Sequence, residues 1–533
     1  MSLIDVSSKF SFTNTRPVCS PCGHYIAYIH STRVIIRETT TLERVRTIPL
    51  SVTGEFVKVG QIAWEPMNDG RSRKFAIVLQ SAHCVKVFDV IDDQCDVLIQ
   101  EDELFGVDKV EWLSSGRDPI ETAYSGSKQI AVYSDAGLML KVYSLDYYRS
   151  PLLEIEKPVG NIITRHAENM WSVVAMRDQR LTLIGLLNRG SESNVIYQTQ
   201  LKDVSSVEKF VVSPDSKWIA CLEKVLSKIS ISVFSLMGDV TGSSGSLLRY
   251  TSYSDPLGGI DVEFVDDDTL LVSDHKDNLH LLSISNGLAL TQTLSHNANV
   301  HNTDVWRQNN DNTKFLKRSS PISVPRIENL PYHSQGVSKF KVSGSYIIAT
   351  THSMPTTAFI WRINDTLREP VTVLITNSTI RNIETDPSTQ DFFIISTEDS
   401  ICLWDATTII SSSNQPITLP VYTDNNSQLR GLQIVSSTQT TIKILAWTSD
   451  RNFFVLQSRL SHNPTQTFDN MDTQEISLLR RGSPALVDDS SRIMDLAAGV
   501  QQSEWGQNLT KSLHIDDTFL GRKRARRIDP LIR

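Results

Sequence analysis

Short runs of apolar residues recur along this chain in one order. A brief strand-like stretch leads into a turn of the Ser-Pro or Asp-Pro type. A very apolar stretch follows, then a polar gap and a third stretch that ends in an aromatic. The first copy reads Val18-Cys19-Ser20-Pro21-Cys22-Gly23, then 25–29 and 33–37. The second reads Ile62-Ala63-Trp64-Glu65-Pro66, then 75–79 and 85–89. The fifth is the most regular, with Ser213-Pro214-Asp215 between 210–212 and 218–221 and a third stretch at 229–234. The fourth, at 171–175 and 181–184, is the weakest. The remaining copies centre on 129–133, 270–272, 346–349, 392–395 and 442–447.

In the middle stretch of each copy the apolar positions are consecutive, as in Phe75-Ala76-Ile77-Val78-Leu79. Strict alternation would leave one face wet, whereas an unbroken run buries both faces. Units spaced by about 40 to 60 residues that cannot cover their own apolar faces must cover one another. The pattern predicts an all-β, WD40-type β-propeller: a single ring of about nine blade-like repeats, with eight plus an irregular unit as the alternative. Trp404-Asp405 is the one intact Trp-Asp dipeptide at the end of a third stretch. The ring is expected over 1–458, with a polar, Pro-containing insertion loop at 301–336. Strand patterning stops there, and 459–533 reads as a polar, mostly disordered tail with short helices near 491–500 and 512–520.

Charge narrows the partners. The chain carries 52 Lys and Arg against 60 Asp and Glu, a net −8. Tracking a phosphate backbone needs clustered cations, so no nucleic acid is expected on the main body. The end of the chain is the exception: Arg522, Lys523, Arg524, Arg526 and Arg527 form a basic cluster suited to nuclear localisation or to an acidic surface. Arg480-Arg481-Gly482-Ser483-Pro484 makes Ser483 a candidate phosphorylation site, where added negative charge would fall beside two arginines. Six cysteines are too few for a disulfide framework. Cys19 and Cys22 form a Cys-x-x-Cys with no second pair near it, so no metal is expected. The first residues lack a basic start before an apolar core, and no apolar run of about 18 residues occurs, so no membrane contact is expected. An intracellular protein follows from that reading, which leaves the sequon at Asn377 unused.

Catalytic spacings are missing from the sequence: no glycine-rich phosphate loop, no His-Glu-x-x-His, no Gly-x-Ser-x-Gly. Asp266-Asp267-Asp268 falls where other copies place a turn, and hard cations need ligands from more than three adjacent residues. His275 and His280 read as surface or rim residues. No catalytic residue, cofactor or metal site is assigned, and the chain is expected not to be an enzyme.

The order of irregularities resembles the family called WD repeat-containing protein eight. The residues that carry this are Cys19-Ser20-Pro21-Cys22-Gly23-His24-Tyr25-Ile26-Ala27, the early Ile62-Ala63-Trp64, and Tyr253-Ser254 ahead of Leu257-Gly258-Gly259-Ile260. The Pro-containing insertion, 355–361, 380–387 and Leu403-Trp404-Asp405 follow in the same order, so that the likeness spans 8–458. Cys22 stands where that family has the Asp of its turn, the fourth unit is degraded, and the tail runs past the family's usual end. The resemblance implies a scaffold at the spindle pole body or centrosome, in the cytoplasm and cytoskeleton. Its implied partners are a coiled-coil microtubule-anchoring protein and, through it, a kinesin-14-class motor. The alternative from another class is a propeller scaffold of a translation or RNA-processing complex, which a basic face with aromatic platforms would favour.

Overall fold

The computed structural model describes residues 4–459, with longer breaks at 51–57, 67–72, 114–128, 236–247, 407–415 and 421–426 and breaks of one to five residues elsewhere; over 155–200 it describes the backbone alone. The chain divides into two units, Met1–Asn463 and Pro464–Arg533, and every described residue lies in the first. Ser483, the cluster from Arg522 to Arg527 and the expected tail helices therefore lie outside the described residues.

Strands make up nearly all of the described regular structure. They form nine sheets of four or more strands and one two-stranded ribbon, counted among the described residues. Sheet one begins at Val18–Cys19, two at Val59–Trp64, three at Lys109–Trp112, four at Asn161–Ala167 and five at Val207–Val212. Sheet six begins at Gly259–Phe264, seven at Val337–Ser343, eight at Asn382–Asp386 and nine at Leu429–Ser437. Each of the nine units read in the sequence supplies strands to a sheet of its own, the weak fourth included. Successive strands of each unit pair antiparallel in chain order, and second strands are buried in long unbroken runs. Lys74–Leu79, Trp218–Glu223, Thr269–Asp274 and Tyr346–Thr351 are each buried at five consecutive positions.

Those runs are buried because sheets face sheets. Apolar clusters join sheet one to two, two to three, five to six, six to seven, seven to eight and eight to nine. A further cluster brings Cys19, Ile26 and Tyr28 of sheet one against Leu445, Phe453 and Val455 of sheet nine, so the succession returns to its start. The chain's first strand completes the closure. Ile4–Val6 pairs with the last strand, Asn452–Arg459, in the register Asp5↔Gln457 and Val6↔Leu456, and Phe10–Ser11 joins the same strand further along. First strands of neighbouring sheets approach one another, which puts them nearest the axis. This is the β-propeller arrangement.

The turns follow the sequence chemistry. Ser20 Oγ accepts the Tyr25 N–H at 3.0 Å, and Ser213 Oγ accepts the Trp218 N–H at 2.9 Å, so each Ser-Pro turn is closed by its own serine. Gly23 adopts φ +72°, and a Cβ there would meet the Val435 carbonyl oxygen at 2.4 Å. Only glycine lets sheet nine approach that closely.

One expectation is corrected. The segment 301–336 is not a loop thrown out from the ring. Asp304–Gln308 lies parallel to Thr372–Ile375, the fourth strand of sheet seven, with Val305↔Val373 and Trp306↔Leu374. Phe315–Arg318 pairs back on it, making sheet seven six-stranded, and Ile322–Ser323 forms the small ribbon with Asn299–Val300. The physical reason lies in the fourth strand: Thr372–Ile375 is buried throughout, while its counterpart in sheet five, Leu248–Ser252, is half-buried or exposed. An apolar outer edge needs a cover, and the inserted hairpin supplies it.

Candidate functional site

Two regions bring polar chemistry together: the lining formed by the first strands, and one rim of the ring.

The lining is stitched from strand to strand. Gln61 Oε1 of sheet two accepts the Val110 N–H of sheet three at 2.9 Å, and Gln433 Oε1 of sheet nine accepts the Cys19 N–H of sheet one at 3.0 Å. Trp64 Nε1 donates to the Val18 carbonyl at 3.1 Å, and Trp112 Nε1 repeats this on Ala63 at 2.9 Å, each reaching one sheet back. Where glutamine and tryptophan give out, charge takes over. Lys209 of sheet five pairs with Asp261 of sheet six, and Lys341 Nζ of sheet seven lies 3.9 Å from Glu263 Oε1 of sheet six. Burial raises the carboxyl pKa of Glu263, with Lys341 and Lys209 working against it. Burial likewise raises Glu384 of sheet eight, opposed by Lys341 and by Arg16. Cations and carboxylates alternate around this arc, so their fields are spent on one another and not aimed at one guest.

Linear motif searching missed this converging arrangement, because its members come from five different sheets or connections. A weaker signal was available. First strands such as Asp261-Val262-Glu263-Phe264 and Lys339-Phe340-Lys341-Val342 alternate charged with apolar, the signature of a strand with one wet face.

In a four-stranded meander, the turn between the second and third strands projects from the same end as the connection to the next sheet. At sheets five to seven these loops form a continuous line. Ser227 N–H donates to the Pro256 carbonyl at 2.8 Å, tying 224–228 to 253–258. Asp255 is fully buried; its carboxylate takes the Leu257 N–H at 2.7 Å and the His275 N–H at 2.8 Å. The Tyr332 ring stacks beside His275, with centroids 6.3 Å apart. Asp277 accepts from Gly336 N–H at 3.0 Å and from Ser353 Oγ at 2.8 Å, fixing the last part of the insertion across the junction of sheets six and seven. On this rim Leu226 is 76%, Tyr253 77% and Ile327 47% exposed.

The residues singled out in the sequence separate. His275 stays on the rim, half-buried, but His280 does not: it is buried within sheet six, its ring bonded to Asp274 Oδ2 at 3.0 Å and Thr293 Oγ1 at 3.2 Å. The expectation of a surface histidine fails there because third strands of a propeller are sandwiched. Burial alone would raise Asp274, yet the hydrogen bonds from His280 and Asn278 hold its carboxyl below the usual range. Asp266, Asp267 and Asp268 face the opposite rim as turn formers. Asp266 accepts the Asp268 and Thr269 N–H groups, Asp267 the Asp215 N–H, and Asp268 the Ser285 N–H. Cys19 is buried at the closure, where desolvation pushes its thiol up to about 12. No group of three or more His, Cys, Asp or Glu suited to a metal occurs among the described residues. Asn377 spends its side-chain amide on the Asn309 carbonyl at 2.6 Å and Asn312 Oδ1 at 2.7 Å, anchoring the inserted hairpin.

No family model matches the chain, and no curated protein does. Among solved structures it is similar to the C-terminal WD40 domain of Sif2, at 9% identity and a TM-score of 0.43 over 79% of this chain and 99% of that one. It is also similar to Sqt1 of Saccharomyces cerevisiae, at 8% identity and a TM-score of 0.45 over 75% of this chain and 95% of that one. The fold stated above rests on strand pairing and packing within this chain.

Proposed function

We propose that this protein is a non-catalytic WD-repeat scaffold of the spindle pole body or centrosome. In this reading a single ring of nine blades binds a coiled-coil anchoring protein and, through it, brings a kinesin-14-class motor to microtubule minus ends. The ring spans 1–458, and 459–533 is a separate polar tail in which Ser483 and the cluster from Arg522 to Arg527 modulate docking or nuclear entry. The order of irregular turns along the sequence supports the family, and one observation supports a binding role. Leu226 and Tyr253 stand about three-quarters exposed on loops whose backbones are bonded to each other. Apolar side chains presented from a stiff frame lose little entropy on docking.

The test is a tagged full-length protein imaged through mitosis. Discrete spots at the poles are expected; a uniform cytosolic signal at every stage would sink the reading.

A second reading has its own observation. Lys224 and Lys228 flank Leu226 along its loop and Lys276 Nζ donates to the Ser254 carbonyl next to Tyr253, and an aromatic near cations is also a platform for a nucleic-acid base. A scaffold of a translation or RNA-processing complex would lose its co-purifying partners when nuclease is added. The spindle-pole scaffold keeps them.

A further inference from the structure

We infer that the last part of the insertion, 324–336, is an acid-sensitive latch over the junction of sheets six and seven, released when His296 takes up a second proton. The device belongs to the fold and holds whatever docks on the ring.

Asp277 ties the latch down. It sits at φ +61° in the turn between Thr269–Asp274 and Asn278–Ser283 of sheet six. Its carboxylate accepts the Gly336 N–H at 3.0 Å and the Ser353 hydroxyl at 2.8 Å, and Arg326 Nη2 lies 3.8 Å from the same group. Two backbone bonds add to the attachment. The Ile327 N–H donates to the Ser353 carbonyl at 2.8 Å, and the His352 N–H to the Gly336 carbonyl at 2.9 Å. The fit is close: at Gly336, with φ +102°, a Cβ would meet the Asp274 carbonyl oxygen at 2.6 Å.

The backbone carbonyl of Asp277 is the other half of the device. It accepts the His296 N–H at 3.1 Å and the His296 ring at 2.6 Å. On the far side of that ring, Nε2 meets the indole nitrogen of Trp361 at 3.2 Å. An indole N–H can only donate, so Nε2 is the accepting nitrogen and Nδ1 carries the proton. The closed latch therefore requires a neutral imidazole. A second proton would point at the Trp361 N–H inside a buried site. An imidazolium has to swing away from Trp361, and it pulls on the turn whose side chain holds the latch.

The charged groups around His296 do not rescue the cation. Asp274 and Asp277, from its own sheet, attract it. Both carboxylates are already engaged, Asp274 by His280 and Asn278 and Asp277 by the latch and Ser353. Sheet seven faces the imidazole with Phe359 and Trp361, their ring centroids 5.0 and 5.6 Å away, and the latch brings Arg326, a cation, to Asp277. Desolvation outweighs the two carboxylates and holds His296 below the ordinary histidine range. Opening the latch returns His296 to water, where it takes a proton near pH 6.5. The open form therefore gains population as pH falls, about tenfold between pH 7.5 and 5.5. His275, half-buried and stacked on Tyr332, is the other histidine in the contact. His333 and His352 are exposed, so opening changes their surroundings little.

The experiment is hydrogen exchange read by mass spectrometry on the full chain at pH 7.5, 6.5 and 5.5, corrected for the intrinsic pH dependence of exchange. Protection of peptides covering 324–336 should fall about tenfold from the highest pH to the lowest, while the buried strand Lys74–Leu79 keeps its protection. His296→Gln, which does not titrate, should abolish the fall, and His275→Gln should leave it in place. Ser353→Ala removes one grip on Asp277 and should loosen the latch at every pH without changing the slope. Unchanged protection of 324–336, an equal fall in His296→Gln, loss of the fall in His275→Gln, or a parallel fall in Lys74–Leu79 would each overturn the inference. No partner enters these measurements, so they stand or fail apart from the scaffold reading.

Discussion

His296 lies buried between two partners that fix its protonation. Its Nδ1–H donates to the Asp277 carbonyl at 2.6 Å, and its Nε2 accepts from Trp361 Nε1–H at 3.2 Å. A second proton would set N–H against N–H in a desolvated site, and burial accordingly lowers its pKa, with Asp277 opposing. A depressed histidine binds fewer protons in the folded chain than in the unfolded one, so its site loses stability as pH falls through the unfolded value of about 6.5. The urea midpoint of wild type, relative to His296→Gln, should therefore drop between pH 7.5 and 5.5. Glutamine keeps both hydrogen bonds and cannot titrate; parallel pH profiles for the two proteins would contradict this account. Trp361→Phe removes the donor and also part of a fully buried ring system, at a cost of about 2 to 4 kcal/mol in denaturant unfolding. A sequence reader sees Trp361 as one more core aromatic. Its bond to a histidine 65 positions earlier exists only once sheets six and seven meet.

At the scale of elements, the inserted hairpin is a structural clasp. Gln308 is nearly fully buried; its Nε2 donates to Ser400 Oγ at 3.1 Å and its Oε1 accepts the Asn377 N–H at 3.1 Å, so it joins the hairpin to the loops of sheets seven and eight. Gln308→Ala leaves the Asn377 N–H without its acceptor, while Ser400 Oγ keeps its bond to Thr397 Oγ1, and should cost about 1 to 2 kcal/mol by urea titration; no change would mean that the clasp is dispensable. The arc of charge at the axis behaves differently. Lys341→Met strips the cation that faces Glu263 and Glu384, but these groups are partly solvated, so the loss should be about 1 kcal/mol at low salt and smaller in 0.5 M salt. A loss unaffected by salt would assign the effect to packing. The strands of the clasp were legible in part: Thr372-Val373-Leu374-Ile375 is apolar at consecutive positions where Leu248-Arg249-Tyr250-Thr251-Ser252 is not. That Asp304–Gln308 supplies the cover, and runs parallel, was not legible, because register depends on a partner about 70 residues away.

For the whole molecule, closure concentrates on Phe453. It is fully buried, with ring centroids 5.3 Å from Phe10, 6.4 Å from Phe12 and 4.8 Å from Tyr28. One side chain thus touches the short strand Phe10–Ser11, the segment after it, and sheet one. Phe453→Ala should cost about 3 to 5 kcal/mol and lower the melting temperature. It should also expose the ends of the chain to protease before the remaining sheets unfold, since a ring opened at one seam is otherwise held only by neighbour contacts. Simultaneous cleavage throughout would show that this seam is no weaker than the others.

The sequence by itself determined that the chain folds into repeated sheets buried on both faces and where each of them lies, because an unbroken apolar run such as Phe75–Leu79 has no other way to leave water. It also determined the turns, since Ser20 and Ser213 close them with atoms only five residues apart. The tertiary structure alone decided how the first strand seals the last sheet, that a segment read as loop covers an outer edge, that His280 is interior, and which charges meet at the axis. Those outcomes depend on groups brought together from distant parts of the chain, where local pattern carries no information about distance.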